Sequence, residues 1–506
     1  MSAISVILIA RLLGPSQYGV YSLAFVVPAI FVSLADFGVS PALTRFTASL
    51  RAEQKSSKVA RMISSGILFT SFTSALAFAV AYGTAGPLAA IVLHRADIGF
   101  LVAAASIVII FQGLWYLSYN GLVGLDSMER SATITVLRDL VKTALCPLLI
   151  VAGFGIFGAM GGQIAAWMLS AFLGVYFLLQ NRLSLGQDRE KLTIKAFKED
   201  IRTMTGFGIP LYLGTLLGTV FVQYQTIVLA FFTSNAEIGN FEAALSFGTF
   251  IGVVATPITL AIFPAFSKLD LQTRKQDLRT VFDHSIRYTT LLIVPVAVII
   301  AVLSTSLIQI IYGNAYTSAP AYLSVYAGVY LLTAIGSQVN GAFLSGVGKT
   351  KDCFKVSAVQ VASFIPLGPL MTSLLGVTGL LIALILASLM STTFSLHLAR
   401  VYGMGIDFRA SARIVAAALT AALPTLPIVY FSPLPNLLNV LTAGAIYLSL
   451  YLTVAPLCGA IGREDIEVLG PILSRIRALN PVVRLILAHE NRMLRFRDRR
   501  GQGMVN

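Results

Sequence analysis

The chain is 506 residues long, 57% apolar and only 11% charged, with a mean hydropathy of +0.83. Soluble domains are typically about 45–50% apolar and about 25% charged, so this composition excludes an ordinary soluble protein and, equally, a disordered one. Three scattered cysteines and four histidines without ligand spacing give no disulfide framework and no metal site. We therefore expect a polytopic membrane protein that has no cofactor and no large soluble catalytic domain.

Fourteen apolar segments follow one another along the chain. Most are long enough to cross roughly 30 Å of hydrocarbon as a helix, and their residues lack the period of two that a membrane barrel requires. We therefore predict an all-α fold with about fourteen transmembrane helices, the first of them truncated. The segments lie near residues 1–10, 19–43, 62–92, 98–123, 132–152, 156–180, 205–231, 238–263, 286–312, 320–344, 354–375, 377–399, 411–431 and 436–459.

The links between these segments alternate between basic and nearly uncharged. Of the 36 lysines and arginines, 32 lie in the links after the even-numbered segments or in the C-terminal tail. Because cytoplasmic links carry the excess of lysine and arginine, we expect a multi-pass cell-membrane (inner-membrane) protein with both termini in the cytoplasm. The same basic residues account for most of the net charge of +14 and for attraction to anionic membrane lipids.

The second half of the sequence repeats features of the first. A shift of 220 residues places Gly19 on Gly239 and Asn120 on Asn340, each within a longer matching run. We therefore expect two homologous helix bundles, with a substrate site between them and transport by alternating access. The expected divisions are a first bundle at 1–180, a linker at 181–204, a second bundle at 205–400, two additional transmembrane helices at 401–459 and a tail at 460–506.

Both ends of the chain carry further expectations. The repeat places the counterpart of the seventh segment's start about fifteen residues before Met1, so we expect an upstream extension that completes the first helix. The tail at 460–506 carries nine arginines, and within it apolar residues recur from Ile466 to Leu479 in steps of three or four. This pattern predicts a basic amphipathic helix lying on the cytoplasmic leaflet.

Four short runs of the sequence resemble one family. The run Ala10-Arg-Leu-Leu-Gly-Pro-Ser-Gln-Tyr-Gly-Val-Tyr-Ser-Leu-Ala24, with Leu34-Ala-Asp-Phe-Gly-Val-Ser40 after it, is similar to the opening of polysaccharide biosynthesis proteins. Phe207-Gly-Ile-Pro210 and Ile238-Gly-Asn-Phe-Glu-Ala-Ala244 open the second half in a similar way. These proteins are the Wzx-type lipid-linked oligosaccharide flippases of the multidrug/oligosaccharidyl-lipid/polysaccharide exporter superfamily, to which the MATE transporters also belong.

The resemblance implies a MATE-like, two-bundle transporter that moves a polyprenyl-pyrophosphate-linked oligosaccharide to the outer leaflet for cell-surface glycan assembly. It implies a lipid-linked oligosaccharide as substrate, coupling to H⁺ or Na⁺, and a glycan polymerase or glycosyltransferases as partners. The chain departs from the family at Gln223-Tyr224-Gln225, where family members often carry an aspartate. No nucleic-acid module is visible, and Gly346-Val-Gly-Lys-Thr350 lacks the first glycine of an ATP-binding loop because Phe343 stands there.

Cations inside a membrane segment are costly and are expected to face a cavity. Arg138 and Lys142 are four residues apart on one helix face, with Asp139 beside them, so we predict that they contact the pyrophosphate. Snorkelling to the cytoplasmic surface is the alternative. Arg11 is a further candidate for substrate binding, with an interfacial anchor as its alternative role.

Four other polar residues lie within apolar segments. Asp36 and Glu242 are candidates for ion coupling, because a buried carboxylate can exchange a proton or hold Na⁺. The alternative for Asp36 is a structural pair with a cation such as Arg45, and that for Glu242 is an interfacial or hydrogen-bonded position. Asn120 and Asn340 are related by the repeat, and we expect them to form hydrogen bonds between helices or to contact sugar.

Two other functions remain open on the sequence alone. One is an ion-coupled multidrug or cation antiporter of the same superfamily. The other is a membrane glycosyltransferase or polymerase, although the short, nearly uncharged outer links lack room for a catalytic site, so we expect no enzymatic activity. The charge of the cavity discriminates between the flippase and the antiporter, because cations favour the flippase and acids favour the antiporter.

Overall fold

The computed structural model describes residues 2–184, 193–269, 275–462, 465, 487–490 and 492–495. Most of the predicted tail at 460–506 and part of the predicted linker at 181–204 lie outside these residues. The chain forms two compact units, one of Met1–Ala243 with Gly368–Leu380 and the other of Ala244–Leu367 with Leu381–Asn506.

The described residues are almost entirely helical, as hydrocarbon demands of a backbone that must satisfy its own hydrogen bonds. The first nine α-helices are α1 (Ser2–Asp36), α2 (Val39–Ala52), α3 (Ser56–Gly83), α4 (Ala85–Ile91), α5 (Gly99–Ala105), α6 (Val108–Gly124), α7 (Met128–Leu149), α8 (Gly155–Ser184) and α9 (Ile194–Phe232). The other nine are α10 (Asn235–Ser267), α11 (Lys275–Val302), α12 (Ser304–Ile311), α13 (Ala319–Ala327), α14 (Asn340–Gly346), α15 (Thr350–Val401), α16 (Phe408–Ala422), α17 (Leu426–Phe431) and α18 (Asn436–Leu457).

Among the described residues, nine helical stretches are long and apolar enough to cross a membrane, or ten if the bent pair Ala319–Ile335 and Asn340–Gly346 forms one span. Three of these stretches contain 50 residues or more. A helix of that length measures about 75 Å, more than twice the thickness of the hydrocarbon. The all-helical polytopic fold is confirmed, whereas the count of fourteen helices and the predicted domain boundaries stay predictions.

Glycines divide two of these long stretches. Gly153 and Gly155, with φ of 95° and 50°, separate α7 from α8, and Gly376, with φ of 59°, breaks α15. These left-handed conformations are open to glycine and costly for other residues. Gly155 and Gly376 fall within one residue of the 220-residue offset, so the same break recurs in both repeats.

Each unit has its own core. In the first unit, α2, α3, α6 and α9 pack through buried residues that include Leu43, Met62 and Leu117. At one end of this core Arg61 of α3 makes two hydrogen bonds to the buried carboxylate of Asp200, at 2.9 and 3.1 Å, which ties α3 to the second turn of α9. In the second unit, α11, α16 and α18 pack around a buried apolar cluster that includes Leu291, Val294, Ile414, Ala417, Tyr447 and Tyr451.

Candidate functional site

The first unit encloses a cavity of about 570 Å³ between α1, α2, α6 and α9. Its volume is within the range of small-molecule sites, about 300–1,000 Å³. The described residues that line it are Ala29, Val32, Ser33, Asp36, Ser40, Pro41, Gln112, Tyr116, Asn120, Tyr212, Thr215 and Thr219. Two of the predicted site residues, Asp36 and Asn120, therefore share one cavity.

Asp36 lies where α1 ends and α2 begins. Its carboxylate accepts hydrogen bonds from the backbone N–H groups of Gly38 (3.2 Å) and Ser40 (3.3 Å), and from the Ser40 hydroxyl. These are the free N–H groups of a helix start, so Asp36 stabilises α2 as a cap does. The positive end of the α2 dipole offsets part of its negative charge.

The break beside Asp36 requires glycine. Phe37 and Gly38 both have positive φ, 48° and 75°, and Gly38 lies against Gly208 of α9. A Cβ atom on Gly208 would be 2.1 Å from the carbonyl oxygen of Gly38. The two glycines thus let α9 approach the break, and this approach forms one wall of the cavity.

A second wall is a polar stripe on α6. Gln112, Tyr116 and Asn120 are spaced by four residues, so they share one helix face. The Asn120 amide donates to the carbonyl oxygen of Tyr116 (2.9 Å), and the Thr44 hydroxyl of α2 donates to the backbone oxygen (2.8 Å) and side-chain oxygen (3.2 Å) of Asn120. The predicted hydrogen bonding between helices is confirmed for Asn120.

The third wall comes from α9. Tyr212 is buried and stacks on Phe37, with ring centroids 6.3 Å apart. One turn and two turns further along α9, the hydroxyls of Thr215 and Thr219 donate to backbone oxygens of their own helix, at 2.9 and 3.2 Å. Their oxygen lone pairs stay available to a ligand that donates hydrogen bonds.

Arg138 of α7 lies between the two tryptophan rings of the chain. Its guanidinium carbon is 4.7 Å from the centroid of the Trp115 ring and 4.8 Å from that of Trp167. It also forms an ion pair of 2.8 Å with Asp139, so the expected association of these two residues is confirmed. Of the described residues, neither Arg138 nor Lys142 lines the cavity, and their contact with cargo stays a prediction.

The remaining predicted residues lie elsewhere. Arg11 is exposed on α1, three residues before a break at Gly14. Glu242 of α10 accepts a hydrogen bond from the Thr226 hydroxyl (3.1 Å) and another from Ser22.

Asn340 belongs to the second unit, where its amide donates to the Ser395 hydroxyl of α15 at 2.7 Å. Hydrogen bonding between helices is therefore confirmed for Asn340 as well.

One alternative is wrong. Of the described residues, Arg45 does not pair with Asp36; its guanidinium lies 4.0 Å from the centroid of the Phe207 ring. The physical reason is that Asp36 already has three donors at the start of α2, while the aromatic face of Phe207 attracts the cation.

Five residues of the cavity wall escape prediction from the sequence. Gln112, Tyr116, Tyr212, Thr215 and Thr219 carry no charge and lie in apolar segments, so each alone gives a weak signal. The spacing of four between Gln112, Tyr116 and Asn120 was the detectable sign, because polar residues recurring on one face of an apolar helix predict a polar surface.

The charge of the cavity conflicts with the simplest expectation for a flippase. Of its described lining residues Asp36 alone is charged, which by itself favours a cation antiporter. The hydrogen bonds that hold Asp36 at the start of α2 give this acid a structural role as well. No group of three or more metal-binding side chains occurs among the described residues.

Comparisons with known proteins agree on one family. A family model described as polysaccharide biosynthesis protein matches residues 8–321. The chain is 21% identical over 443 residues to the lipopolysaccharide biosynthesis protein WzxC of Escherichia coli K12, covering 85% of this chain and 83% of that protein. It is also 21% identical over 399 residues to the probable low-salt glycan biosynthesis flippase Agl15 of Haloferax volcanii, covering 77% of each.

Solved structures show the same fold. The lipid II flippase MurJ in an inward closed conformation superposes with a TM-score of 0.70 at 16% identity, covering 89% of this chain and 96% of that chain. A multidrug resistance MATE family transporter in an inward-facing conformation gives 0.64 at 14% identity, covering 81% and 95%. The MATE-like fold predicted from the sequence is confirmed, and with the match over residues 8–321 this chain belongs to the polysaccharide biosynthesis protein family.

Proposed function

We propose that this chain is a transporter that moves a polyprenyl-pyrophosphate-linked oligosaccharide from the cytoplasmic to the outer leaflet by alternating access. The family supports this proposal, as do the flippase names of relatives such as Agl15 and the likeness in fold to MurJ. The observation that carries it is the cavity of about 570 Å³, whose walls place hydroxyls, amides and tyrosines inside an apolar bundle.

Such a cavity answers the physical problem of the reaction. A polar group moved into hydrocarbon without a hydrogen-bond partner costs several kcal/mol, about 2–7 for a hydroxyl or amide. A glycan carries many hydroxyls, so its direct passage through lipid is prohibitive. Polar side chains along the route replace the water that the glycan loses, while the polyprenyl tail stays in lipid.

The charged residues complete the proposal. Arg138 and Lys142, with Arg11, supply positive charge for the pyrophosphate, because a cation offsets the cost of bringing phosphate out of water. Asp36 and Glu242 are the carboxylates through which H⁺ or Na⁺ coupling would act.

In this proposal the chain works in the inner membrane with both termini in the cytoplasm and performs transport without covalent chemistry. Glycosyltransferases would supply its substrate on the cytoplasmic side, and a glycan polymerase would consume the product on the other. Multidrug or cation antiport is not favoured, because the relatives named above are glycan flippases and lipopolysaccharide biosynthesis proteins.

The test uses the source cell with its chromosomal copy deleted. Loss of the chain should remove surface glycan and cause lipid-linked oligosaccharide to accumulate, and the wild-type chain should restore export. Tyr116→Ala should restore it poorly, because the residue lines the cavity. Tyr119→Ala is the matched control, since Tyr119 lies on the same helix and stacks on Trp115 at 5.3 Å but is not among the lining residues. Normal surface glycan in the deletion strain would contradict the proposal.

A further inference from the structure

The cavity of the first unit has an unusual balance of charge for a protein that handles a pyrophosphate-linked cargo. Of its described lining residues, Asp36 carries a negative charge and none is lysine, arginine or histidine. The Asp36 carboxylate is fixed in place by its three hydrogen bonds to the start of α2. A second anion in this cavity would therefore face an acid in a setting of low dielectric, where like charges repel strongly.

The hydroxyls of the wall act mainly as acceptors. Ser33 donates its proton to the carbonyl oxygen of Ile30 at 2.9 Å, and Thr215 and Thr219 likewise donate to their own helix. With the carboxylate of Asp36, these groups offer lone pairs to the cavity and few protons. The ligand that fits such a wall is one that donates many hydrogen bonds of its own, as a polyol does.

Tyr116 adds a flat apolar surface to this wall. Its side chain is 41% exposed, and it is held from behind by two rings, Trp115 at 5.3 Å and Trp167 at 6.4 Å between centroids. An aromatic ring with a polar tip binds a ligand that has both apolar and hydroxyl-bearing faces. One turn earlier on the same helix face, the amide of Gln112 offers a donor and an acceptor side by side.

We infer that this cavity binds uncharged, hydroxyl-rich sugar residues of the cargo, with Tyr116 packing against the sugar ring and Gln112 bonding its hydroxyls, and that Asp36 excludes acidic sugars and phosphate. The inference rests on the proposed flippase function and names the class of headgroup that enters this cavity. It also separates sugar binding from pyrophosphate binding, because the cations that would bind the pyrophosphate lie outside this wall.

The two tryptophans of the chain provide a reporter for the test. The sequence contains two, Trp115 and Trp167, and both contact Tyr116, so their emission should respond to a ligand at that ring. The purified full-length chain in lipid nanodiscs is titrated with maltotriose, a neutral trisaccharide, and with trigalacturonic acid, an acidic one of equal length. We expect a saturable change with maltotriose and binding of trigalacturonate at least tenfold weaker.

Variants assign the effect to residues. Tyr116→Ala should weaken maltotriose binding about three- to tenfold, as the loss of one packing or hydrogen-bonding contact does, while Tyr119→Ala changes the emission baseline without changing affinity. Asp36→Asn keeps one acceptor for the N–H groups at the start of α2 and should reduce the difference in affinity between the two saccharides. If this variant does not fold, the ratio of the wild-type chain's affinities for the two saccharides decides whether the cavity excludes acidic sugars.

Three outcomes would overturn the inference: equal or tighter binding of trigalacturonate, no binding of maltotriose, or an unchanged affinity in Tyr116→Ala. The proposed function fails separately, in the deletion strain. A wild-type chain that restores glycan export but binds both saccharides equally would remove the inference and leave the flippase proposal standing.

Discussion

Gly19 of α1 and Gly239 of α10 pack against each other at a crossing without room for a side chain. A Cβ atom on Gly19 would be 1.9 Å from the carbonyl oxygen of Asn235, and one on Gly239 would be 1.9 Å from that of Pro15. The 220-residue repeat relates Gly19 to Gly239 and Pro15 to Asn235. The contact is therefore reciprocal, because each glycine lies against the backbone oxygen that the repeat assigns to the other's partner.

Alanine at this crossing should be damaging. Gly239→Ala places a methyl group against a backbone oxygen that cannot move aside as a side chain can, and overpacking of this kind costs roughly 1–3 kcal/mol. We expect a lower thermal midpoint for the purified chain and reduced glycan export. Gly206→Ala is the matched control, because an added Cβ at Gly206 of α9 would meet no atom within 4 Å outside its own helical turn, and an alanine there should be neutral or slightly stabilising. Equal thermal midpoints for the two variants would contradict the tight packing of Gly19 against Gly239.

One turn beyond the crossing, the same repeat relation joins Ser22 to Glu242. Their hydrogen bond ties α1 to α10 next to the glycines, so a change of protonation at Glu242 would act on this contact. If Glu242 couples transport to protons, Glu242→Gln should abolish stimulation of flipping by an imposed proton gradient in proteoliposomes.

Glu237→Gln serves as the control for this measurement. Glu237 accepts a hydrogen bond from the backbone N–H of Ser234 at 3.3 Å at the start of α10, a capping role that glutamine can also fill. Stimulation that persists in Glu242→Gln would show that the residue does not couple protons.

The cation pair of α7 is tested by removal. The double change of Arg138 and Lys142 to alanine should abolish glycan export while leaving expression and membrane insertion intact, because the pyrophosphate then lacks its positive partners. Arg130→Ala is a suitable comparison, since Arg130 lies near the start of the same helix, 5.4 Å from the Phe177 ring and bonded to Asn181. Normal export by the double variant would instead support the alternative, in which both side chains snorkel to the cytoplasmic surface.

The short described segment around Glu490 should respond to pH. Burial, with the nearby charge of Asp465, raises the pKa of Glu490 from 4.5 to about 7. Because of this raised pKa, Glu490 holds its proton more tightly when its segment is packed on the rest of the second unit than when the segment is detached. This packing, which we call docking, therefore weakens as the pH rises from about 4.5 to 7 and changes little above pH 7.

Tryptic cleavage at Arg492 and Arg495 measures this docking. Comparing the wild-type chain with Glu490→Gln at each pH removes the protease's own pH dependence. We expect similar cleavage at pH 5 and several-fold faster cleavage of the wild type at pH 8. A wild-type to variant ratio that is constant with pH would contradict the effect of Glu490.

How far the sequence predicts this molecule differs between its levels. Hydrophobic segments predict the helices, because each must satisfy its own backbone in lipid, and the repeat pairs Gly19 with Gly239. That these two glycines touch is a tertiary fact that no local pattern contains. Its charge singles out Asp36 in the sequence, yet its hydrogen bonds to the start of α2 depend on a break at Phe37 and Gly38 that hydropathy does not show.

The cavity was harder still to predict. Asn120 was identified through the repeat, whereas Tyr116 and Gln112 differ little from other polar residues in apolar helices until packing brings α1, α6 and α9 together. Its charge singles out Arg138 in the sequence, but its two tryptophan neighbours come from different helices, α6 and α8, and only the fold brings them together.

The most direct test of the account is flipping by the purified chain. Proteoliposomes are loaded with the lipid-linked oligosaccharide that accumulates in the deletion strain, and an added membrane-impermeant glycosidase measures the fraction of glycan in the outer leaflet with time. Lipid-linked oligosaccharide should become fully digestible with the wild-type chain, while about half stays protected in protein-free vesicles and with the double alanine variant of Arg138 and Lys142. If about half of the glycan stays resistant to the glycosidase in vesicles that contain the folded and inserted wild-type chain, the account is contradicted.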